Sequence, residues 1–157
     1  CIVTQNVDGL FQKAGVNPEK VIEIHGTEHQ VRCLNCGASS DRQDVEAMFH
    51  AGIFIPYCYT CYGLLKPATV LMGEELDKSL FENALSKILA SDLLIIMGTS
   101  LQVDPVASIP AMAWKKGIPI VIINSTPTSQ AHLSKWFIQC PTGKFFRKFL
   151  RQVKKGS

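Results

Sequence analysis

The sequence lacks any long hydrophobic run and any strong excess of charge. No apolar stretch reaches the roughly 18–20 residues that a membrane-spanning helix needs, and no signal peptide is visible at its start. Charged residues make up only 18% of the chain and the net charge is +3, so composition predicts neither a membrane nor a direct nucleic-acid partner. With 157 residues, 46% of them hydrophobic, the chain can bury a core as one domain, or as one domain with a small insert.

Acidic residues are absent from the C-terminal end, and internal repeats and low-complexity segments are absent throughout. From Gly143 onward every charged residue is basic, which predicts the solvated face of a last helix. A patch that attracts acidic partners is the alternative. An initiator methionine is also missing, and Cys1-Ile2-Val3-Thr4 resembles the inside of a strand, so we expect further chain upstream of Cys1.

Four of the six cysteines form two C-x-x-C pairs, Cys33 with Cys36 and Cys58 with Cys61. Zinc prefers four tetrahedral ligands, and thiolates suit it. The equal spacing favours a metal site in a reducing compartment over a disulfide framework, unconnected thiols or a redox pair. All four positions are filled by protein, so the expected zinc is structural and has no place for a catalytic water. The remaining cysteines, Cys1 and Cys140, are expected to be buried.

Strand-like and helix-like patterns alternate in the second half of the chain, which predicts an α/β fold with a parallel sheet. Short β-branched runs at 2–4 and 21–24 come first, and one helix is expected within 27–67, at 44–50. The later expected elements are a helix at 77–90, a strand at 92–97, a helix at 105–116, strands at 118–123 and 136–139, and a helix at 142–154.

Polar residues follow several of these strand-like runs. Ligands of open α/β sheets bind beyond the carboxyl ends of the strands, so we expect these residues at one edge. They are Gln5, Asn6, Asp8, His25, Gly98, Thr99, Ser100 and Asn124. His25 is a candidate general base because histidine titrates near neutral pH, although an ordinary surface histidine is equally compatible with its position. His29, His50 and His132 are predicted to be surface residues.

Six segments, taken in order, resemble motifs of the sirtuin family over residues 1 to about 150. They are Thr4-Gln5-Asn6-Val7-Asp8-Gly9-Leu10, His25-Gly26, the two cysteine pairs, the stretch from Gly63-Leu64-Leu65-Lys66-Pro67 to Val70-Leu71-Met72-Gly73-Glu74, Gly98-Thr99-Ser100-Leu101-x-Val103-x-Pro105, and Ile123-Asn124-x-x-x-Thr128. The resemblance implies a Rossmann-like NAD-binding domain, incomplete at its N-terminal end, from residues 1–26 and 68–157. A zinc-binding module would occupy residues 27–67.

The resemblance further implies an NAD-dependent protein-lysine deacylase. The acyl group would pass to ADP-ribose, nicotinamide would be released, and NAD would be consumed as a co-substrate. His25 and Asn6 are the implied catalytic residues, with His25 deprotonating the nicotinamide ribose. Cytoplasm is the expected location, with the nucleus open for a eukaryotic source.

The implied binding residues divide between cofactor and peptide. Gln5, Asn6 and Asp8 would line the ribose and nicotinamide pocket. Gly98, Thr99 and Ser100 would allow close approach of the cofactor, Asn124 would bind the adenosine ribose, and the Cys140 backbone would lie near the adenine. An acyl-lysine peptide would add as a strand between the segment of Val70, Met72 and Gly73 and the segment of Val103.

The chain departs from the family pattern in two ways. Met72 stands where phenylalanine is usual, and the Gly-rich phosphate loop and the Arg-containing loop after it are not found. We therefore expect the isolated chain to bind NAD weakly and to turn over slowly or not at all. The alternatives are a mono-ADP-ribosyltransferase on the same scaffold, a catalytically inactive fragment, and a non-catalytic zinc-ribbon module. Neither the acyl preference nor the substrate protein follows from the sequence.

Overall fold

A computed structural model describes residues 1–156 and divides into two compact units, residues 1–84 and the part from Leu85 onward. The first unit contains strands β1 (Ile2–Thr4), β2 (Val21–Glu23), β3 (Gly26–Cys33), β4 (Ser39–Asp41) and β5 (Leu65–Thr69), with helices α1 (Leu10–Lys13) and α2 (Arg42–His50). Helix α3 (Lys78–Leu89) runs across the boundary. The second unit contains β6 (Leu94–Met97), α4 (Ile109–Lys115), β7 (Ile120–Asn124), β8 (Trp136–Gln139) and α5 (Thr142–Gly156).

Strands β1 and β2 form a short parallel pair in the first unit. Val3 lies opposite Ile22, and the Ile24 N–H donates to the Thr4 carbonyl oxygen at 3.0 Å, which continues the pairing beyond the strand ends. Ile22 and Ile24 are buried. The expected strands at 2–4 and 21–24 are therefore confirmed, and their carboxyl ends lie side by side.

An antiparallel sheet in the order β4-β3-β5 follows, with α2 packed against β3. Its core includes Val31 of β3 and Val45 and Met48 of α2. The expected helix is confirmed, but no strand was expected within 27–67. The polar side chains of Glu28, His29 and Gln30 hide β3 from a hydrophobicity pattern, since the strand is defined by its backbone pairing with both neighbours.

The second unit carries a parallel sheet in the order β6-β7-β8. The central strand β7 is buried through Ile120, Ile122 and Ile123, as its unbroken apolar run predicts. Burial on both faces is the wrong expectation for β6, where Ile95 and Met97 are 49% and 42% exposed. Strand β6 pairs only with β7 among the described residues, so its other edge has no neighbour in its sheet.

The expected helices are present with shifted ends. Asp77 caps α3 by accepting the Leu80 N–H at 3.0 Å, so the helix begins at Lys78. The helix expected from residue 105 starts as a 3₁₀ turn at Val106–Ser108 and becomes α-helical only at Ile109. Helix α5 matches the expected last helix, and its basic side chains are exposed over 144–155. No helix in the described part of the chain is long and apolar enough to cross a membrane.

Candidate functional site

The turn after β1 is shaped by its own polar side chains. The Asn6 N–H donates to Thr4 Oγ1 at 3.1 Å, and the Leu10 N–H donates to Asp8 Oδ1 at 3.1 Å. Gly9 has φ +63°, in the left-handed region, and α1 starts directly after it. The sequence therefore builds a tight polar turn that presents Gln5, Asn6 and Asp8 at the carboxyl end of β1.

His25 lies at the neighbouring strand end and is bonded to this turn. Its Nδ1 atom is 3.2 Å from the Gln5 carbonyl oxygen, and its own carbonyl accepts the Val70 N–H at 2.9 Å. A carbonyl oxygen can only accept, so Nδ1 carries the proton in this contact. In the neutral ring this leaves the Nε2 lone pair free to take a proton from another group. The geometry thus suits His25 for the role of a base.

Strand β3 makes two further contacts with the same turn. The Glu28 N–H donates to the Val7 carbonyl at 3.0 Å, and His29 Nε2 lies 3.0 Å from the Asp8 carbonyl oxygen. The sequence predicted an ordinary surface histidine at position 29. His29 is exposed, but its contact with the turn was missed. No signal in the sequence indicates this contact, because its acceptor is a backbone carbonyl oxygen.

Residues at the strand ends of the second unit also lie beside one another. The Gly98 N–H, just beyond β6, donates to the Ile123 carbonyl at 3.1 Å, with Gly98 at φ +61°. Thr99 Oγ1 accepts the Leu101 N–H at 3.2 Å, and Ser100 is exposed between them. This turn exposes backbone and small side chains, as close approach of a ligand requires.

Asn124 ends β7 and is buried, with 7% of its surface exposed. Its Nδ2 atom donates to the Thr126 carbonyl oxygen at 2.9 Å, and its own carbonyl accepts the Cys140 N–H at 2.9 Å. Asn124 and Cys140 therefore lie at adjacent carboxyl ends, those of β7 and β8. Within each unit the structure brings the candidate residues to the strand ends at which the sequence predicts them.

The candidate peptide-binding residues follow β5 in the first unit. Val70 is tied to His25 through its N–H, Met72 is fully exposed, and Gly73 adopts φ +88°. The Glu74 carboxylate fixes this segment by accepting the Leu71 N–H at 2.9 Å and pairing with Lys66. In the second unit Val103 is 59% exposed.

The four expected metal ligands form one cluster. All four sulfur atoms of Cys33, Cys36, Cys58 and Cys61 lie within 4.8 Å of one another, with 3.5 Å between Cys33 and Cys61 and 3.7 Å between Cys36 and Cys58. Tetrahedral zinc with Zn–S bonds of about 2.3 Å requires sulfur–sulfur separations of about 3.8 Å. The donor set and its spacing therefore fit zinc, and the four residues fill a closed, structural site.

Hydrogen bonds around the cluster favour thiolates at two positions. The Gly63 backbone N–H and the Asn35 amide lower the pKa of Cys61 to about 6. Backbone N–H groups of Thr60 and Cys61 lower the pKa of Cys58. Metal binding requires deprotonated sulfur, so these donors assist it.

The expectation that Cys1 and Cys140 are buried is wrong, because Cys1 is exposed and Cys140 only partly buried.

Parallel strands with polar residues at their carboxyl ends, together with a four-cysteine module, define a Rossmann-like α/β protein with a structural zinc site. The model of the Sir2 family matches residues 1–105. The chain belongs to the Sir2 family.

Curated relatives match most of this chain in sequence. An NAD-dependent protein deacetylase 2 of Streptomyces coelicolor is 41% identical over 150 residues, which covers 96% of this chain and 62% of that protein. An NAD-dependent protein deacylase 2 of Pyrobaculum aerophilum is 35% identical, with coverage of 98% and 59%. The chain spans about three fifths of the length of these relatives.

Solved structures agree on the fold. A Sir2 protein bound to an acetylated peptide has a TM-score of 0.91 at 28% identity, with 98% of this chain and 63% of that chain covered. A Sir2 complex with a p53 peptide and NAD⁺ has a TM-score of 0.89 at the same identity and the same coverage. The Rossmann-like fold predicted from the sequence is thereby confirmed.

Proposed function

We propose that the protein is an NAD-dependent protein-lysine deacylase, with a deacetylase as its simplest form. Bound NAD would supply an electrophilic ribose carbon and a nicotinamide leaving group, and the acyl-lysine of a protein or peptide would supply the attacking oxygen. The names of the relatives from Streptomyces coelicolor and Pyrobaculum aerophilum support this activity, and the Sir2 complexes with peptide and NAD⁺ support the pair of substrates.

One observation carries the proposal: His25 is bonded through Nδ1 to the Gln5 carbonyl oxygen, at the polar turn after β1. With the proton held at Nδ1, Nε2 is the atom that accepts a proton from a ribose hydroxyl. The ring cannot swing away without losing this bond. A base held in a fixed orientation typically contributes a factor of about 10²–10⁴ to the rate.

The remaining residues take supporting roles in this proposal. Gln5, Asn6 and Asp8 line the ribose and nicotinamide pocket, and Asn6 acts beside His25. Gly98, Thr99, Ser100, Asn124 and Cys140 take the rest of the cofactor, while Val70, Met72, Gly73 and Val103 contact the peptide. Residues 1–26 and 68–157 would act as the NAD-binding domain, and residues 27–67 as a zinc module. Cysteine ligands must stay reduced, which requires a reducing compartment and supports the cytoplasm as the location of the protein.

The test compares the chain with its His25→Ala variant on an acetyl-lysine peptide and NAD. With the chain in excess over peptide, single-turnover conditions keep even a slow reaction measurable, and mass spectrometry follows peptide and nicotinamide. We expect deacetylation coupled to nicotinamide release, reduced at least about 100-fold by His25→Ala. His50→Ala, at the exposed end of α2, is the matched control and should react normally.

Three results would overturn this assignment. Undiminished turnover in His25→Ala with full zinc content would remove His25 as the base. Nicotinamide release with ADP-ribose attached to protein, and with the peptide still acetylated, would instead establish the mono-ADP-ribosyltransferase alternative. Free replacement of both His25 and Asn6 without any loss would favour the non-catalytic zinc-ribbon module.

A further inference from the structure

His25 and strand β3 bond to three backbone carbonyl oxygens of the polar turn, in chain order. His25 bonds to the Gln5 carbonyl, the Glu28 N–H to the Val7 carbonyl, and His29 to the Asp8 carbonyl, at 3.2, 3.0 and 3.0 Å. The first and last of these contacts come from imidazole rings. We infer that His29 is a positioning residue that fixes the Asn6–Asp8 turn for the nicotinamide ribose, an inference that rests on the proposed deacylase function.

The contact of His29 differs in kind from that of Glu28. Any residue except proline would supply the backbone N–H at position 28, whereas the Asp8 carbonyl is reached by a side chain. That carbonyl belongs to a residue whose carboxylate is also engaged, since Asp8 Oδ1 accepts the Leu10 N–H. Holding the Asp8 peptide plane therefore limits the directions in which the Asp8 carboxylate can point. His29 thus acts through Asp8, without itself reaching the cofactor.

Gly9 lies directly against the imidazole ring of His29. A Cβ atom on residue 9 would lie 2.7 Å from His29 Nε2 and 2.9 Å from its Cδ2 atom, closer than real Cβ contacts. Gly9 also has φ +63°, which side chains disfavour. The His29 ring therefore covers the turn at Gly9, where the turn has no side chain. Positions 9 and 29 are complementary in shape, in addition to the hydrogen bond of His29 to the turn.

Loss of the His29 side chain is expected to affect the KM for NAD and not the KM for the peptide. A single hydrogen bond of this kind changes an equilibrium by about two- to tenfold, so His29→Ala should raise KM for NAD by that factor. The KM for the acetyl-lysine peptide and the zinc content should not change, because the His29 side chain hydrogen-bonds to Asp8 of the turn and is not one of the four clustered cysteines or part of the segment 70–74. The His29→Gln variant keeps a side-chain N–H at similar reach and should recover most of the lost NAD affinity.

The experiment measures both KM values for the wild-type chain, His29→Ala, His29→Gln and the control His50→Ala. Hydrogen exchange of the Asn6, Leu10 and Glu28 amides is measured in parallel, because these amides report on the turn directly. We expect faster exchange at all three amides in His29→Ala, and near wild-type exchange in His29→Gln and His50→Ala. Exchange needs no turnover, so the hold of His29 on the turn is tested separately from the proposed function, even in a chain that does not deacetylate the peptide.

The two positions should also be coupled. Gly9→Ala introduces both backbone strain and the collision with the ring, and His29→Ala removes the collision. The changes in amide exchange and in KM for NAD should therefore be smaller in the double variant than the product of the changes in the two single variants. Any of three results would overturn the inference. They are an equal loss of NAD affinity in His29→Ala and His29→Gln, an equal rise in the KM values for NAD and for the peptide, and unchanged amide exchange in His29→Ala.

Discussion

Gly26 lies so close to Ala68 that a Cβ atom on residue 26 would collide with the Ala68 backbone carbonyl oxygen. Gly26 also has φ +78°, a conformation that other residues rarely adopt. The close approach brings the start of β3 against the end of β5, where the Val70 N–H donates to the His25 carbonyl. The glycine after His25 is therefore required by the pairing of two strands, whatever the chemistry beside it.

Gly26→Ala should lower the free energy of unfolding by about 3 kcal/mol or more, because strain at φ of about 1–3 kcal/mol is joined by a backbone collision that nothing flexible relieves. Gly15→Ala is the matched control, since Gly15 has φ +87° but no atom within 4 Å of the added Cβ. It should cost only about 1 kcal/mol. Urea denaturation measures both variants, and equal losses would show that the collision with Ala68 does not matter.

The regular second half of the chain could be predicted because its periodicity and burial agree. Strand β8 has the expected bounds, Trp136–Gln139, and β7 is apolar and buried as expected. The strand before Gly98, β6, was expected to be central, but β7 holds that place. Strands β3 to β5 could not be predicted, because most of their side chains are polar or only partly buried, and Val31 and Cys33 are the only buried hydrophobic residues in the three strands. The exposure of Ile95 in β6 was also invisible, since an apolar run does not reveal how many of its faces are covered.

The candidate site was predictable as residue types but not as contacts. The positions of Gln5, Asn6, Asp8 and His25 after short strands could be read from the sequence. The bond from His25 Nδ1 to the Gln5 carbonyl and the role of His29 could not, because both depend on the register of an extended segment against a turn. Backbone carbonyl acceptors leave no trace in the identity of the residue that carries them.

Cys58→Ser should release the zinc and destabilise the β4-β3-β5 sheet, because Cys33, at the end of β3, and Cys58 are both buried within the metal cluster. Binding free energy of a structural zinc contributes directly to folding, about 10 kcal/mol or more at neutral pH in small zinc domains. Metal analysis should find about one zinc per wild-type chain and less than a tenth of that in the variant.

Cys1→Ser is the control for the zinc experiment, because Cys1 is a free, exposed thiol that does not belong to the cluster of four. It should retain full zinc content and an unchanged unfolding curve. A Cys58→Ser chain that still bound one zinc with wild-type stability would show that the metal has other ligands.

Acid should loosen the segment after β5. The Leu71 N–H and the Lys66 ammonium group hold the pKa of Glu74 below its ordinary value of 4.5. Because the folded pKa is depressed, the stabilisation is complete above the unfolded pKa and is lost as the pH falls through the folded one. We expect the Leu71 amide to become exposed to exchange below about pH 4.5.

Glu74→Gln should remove this acid dependence, with the Leu71 amide exchanging at a similar rate on both sides of the transition after correction for intrinsic rates. Glu75→Gln changes the charge equally at the adjacent exposed position and should leave the acid transition in place. An NMR titration in which Glu74 has an ordinary pKa would contradict the assigned contacts.

Asn124→Asp should destabilise the second unit more than Asn124→Ala, although the aspartate is nearly isosteric. The buried Nδ2 atom of Asn124 donates to the Thr126 carbonyl at 2.9 Å, so alanine loses a bond worth about 1 kcal/mol. A carboxylate instead directs a charged acceptor at that carbonyl, which adds desolvation and repulsion of about 1–3 kcal/mol.

The same contact predicts how the stability of the Asn124→Asp variant depends on pH, in the direction opposite to that expected for Glu74. The new carboxyl group would have a raised pKa, because burial and the Thr126 carbonyl both disfavour its charge. Its destabilising effect should therefore fade as the pH falls through that raised pKa, where the protonated group donates to the Thr126 carbonyl as the amide does. Urea denaturation at a series of pH values compares the variant with Asn124→Ala. A penalty that did not shrink in acid would show that the side chain at position 124 does not face that carbonyl oxygen.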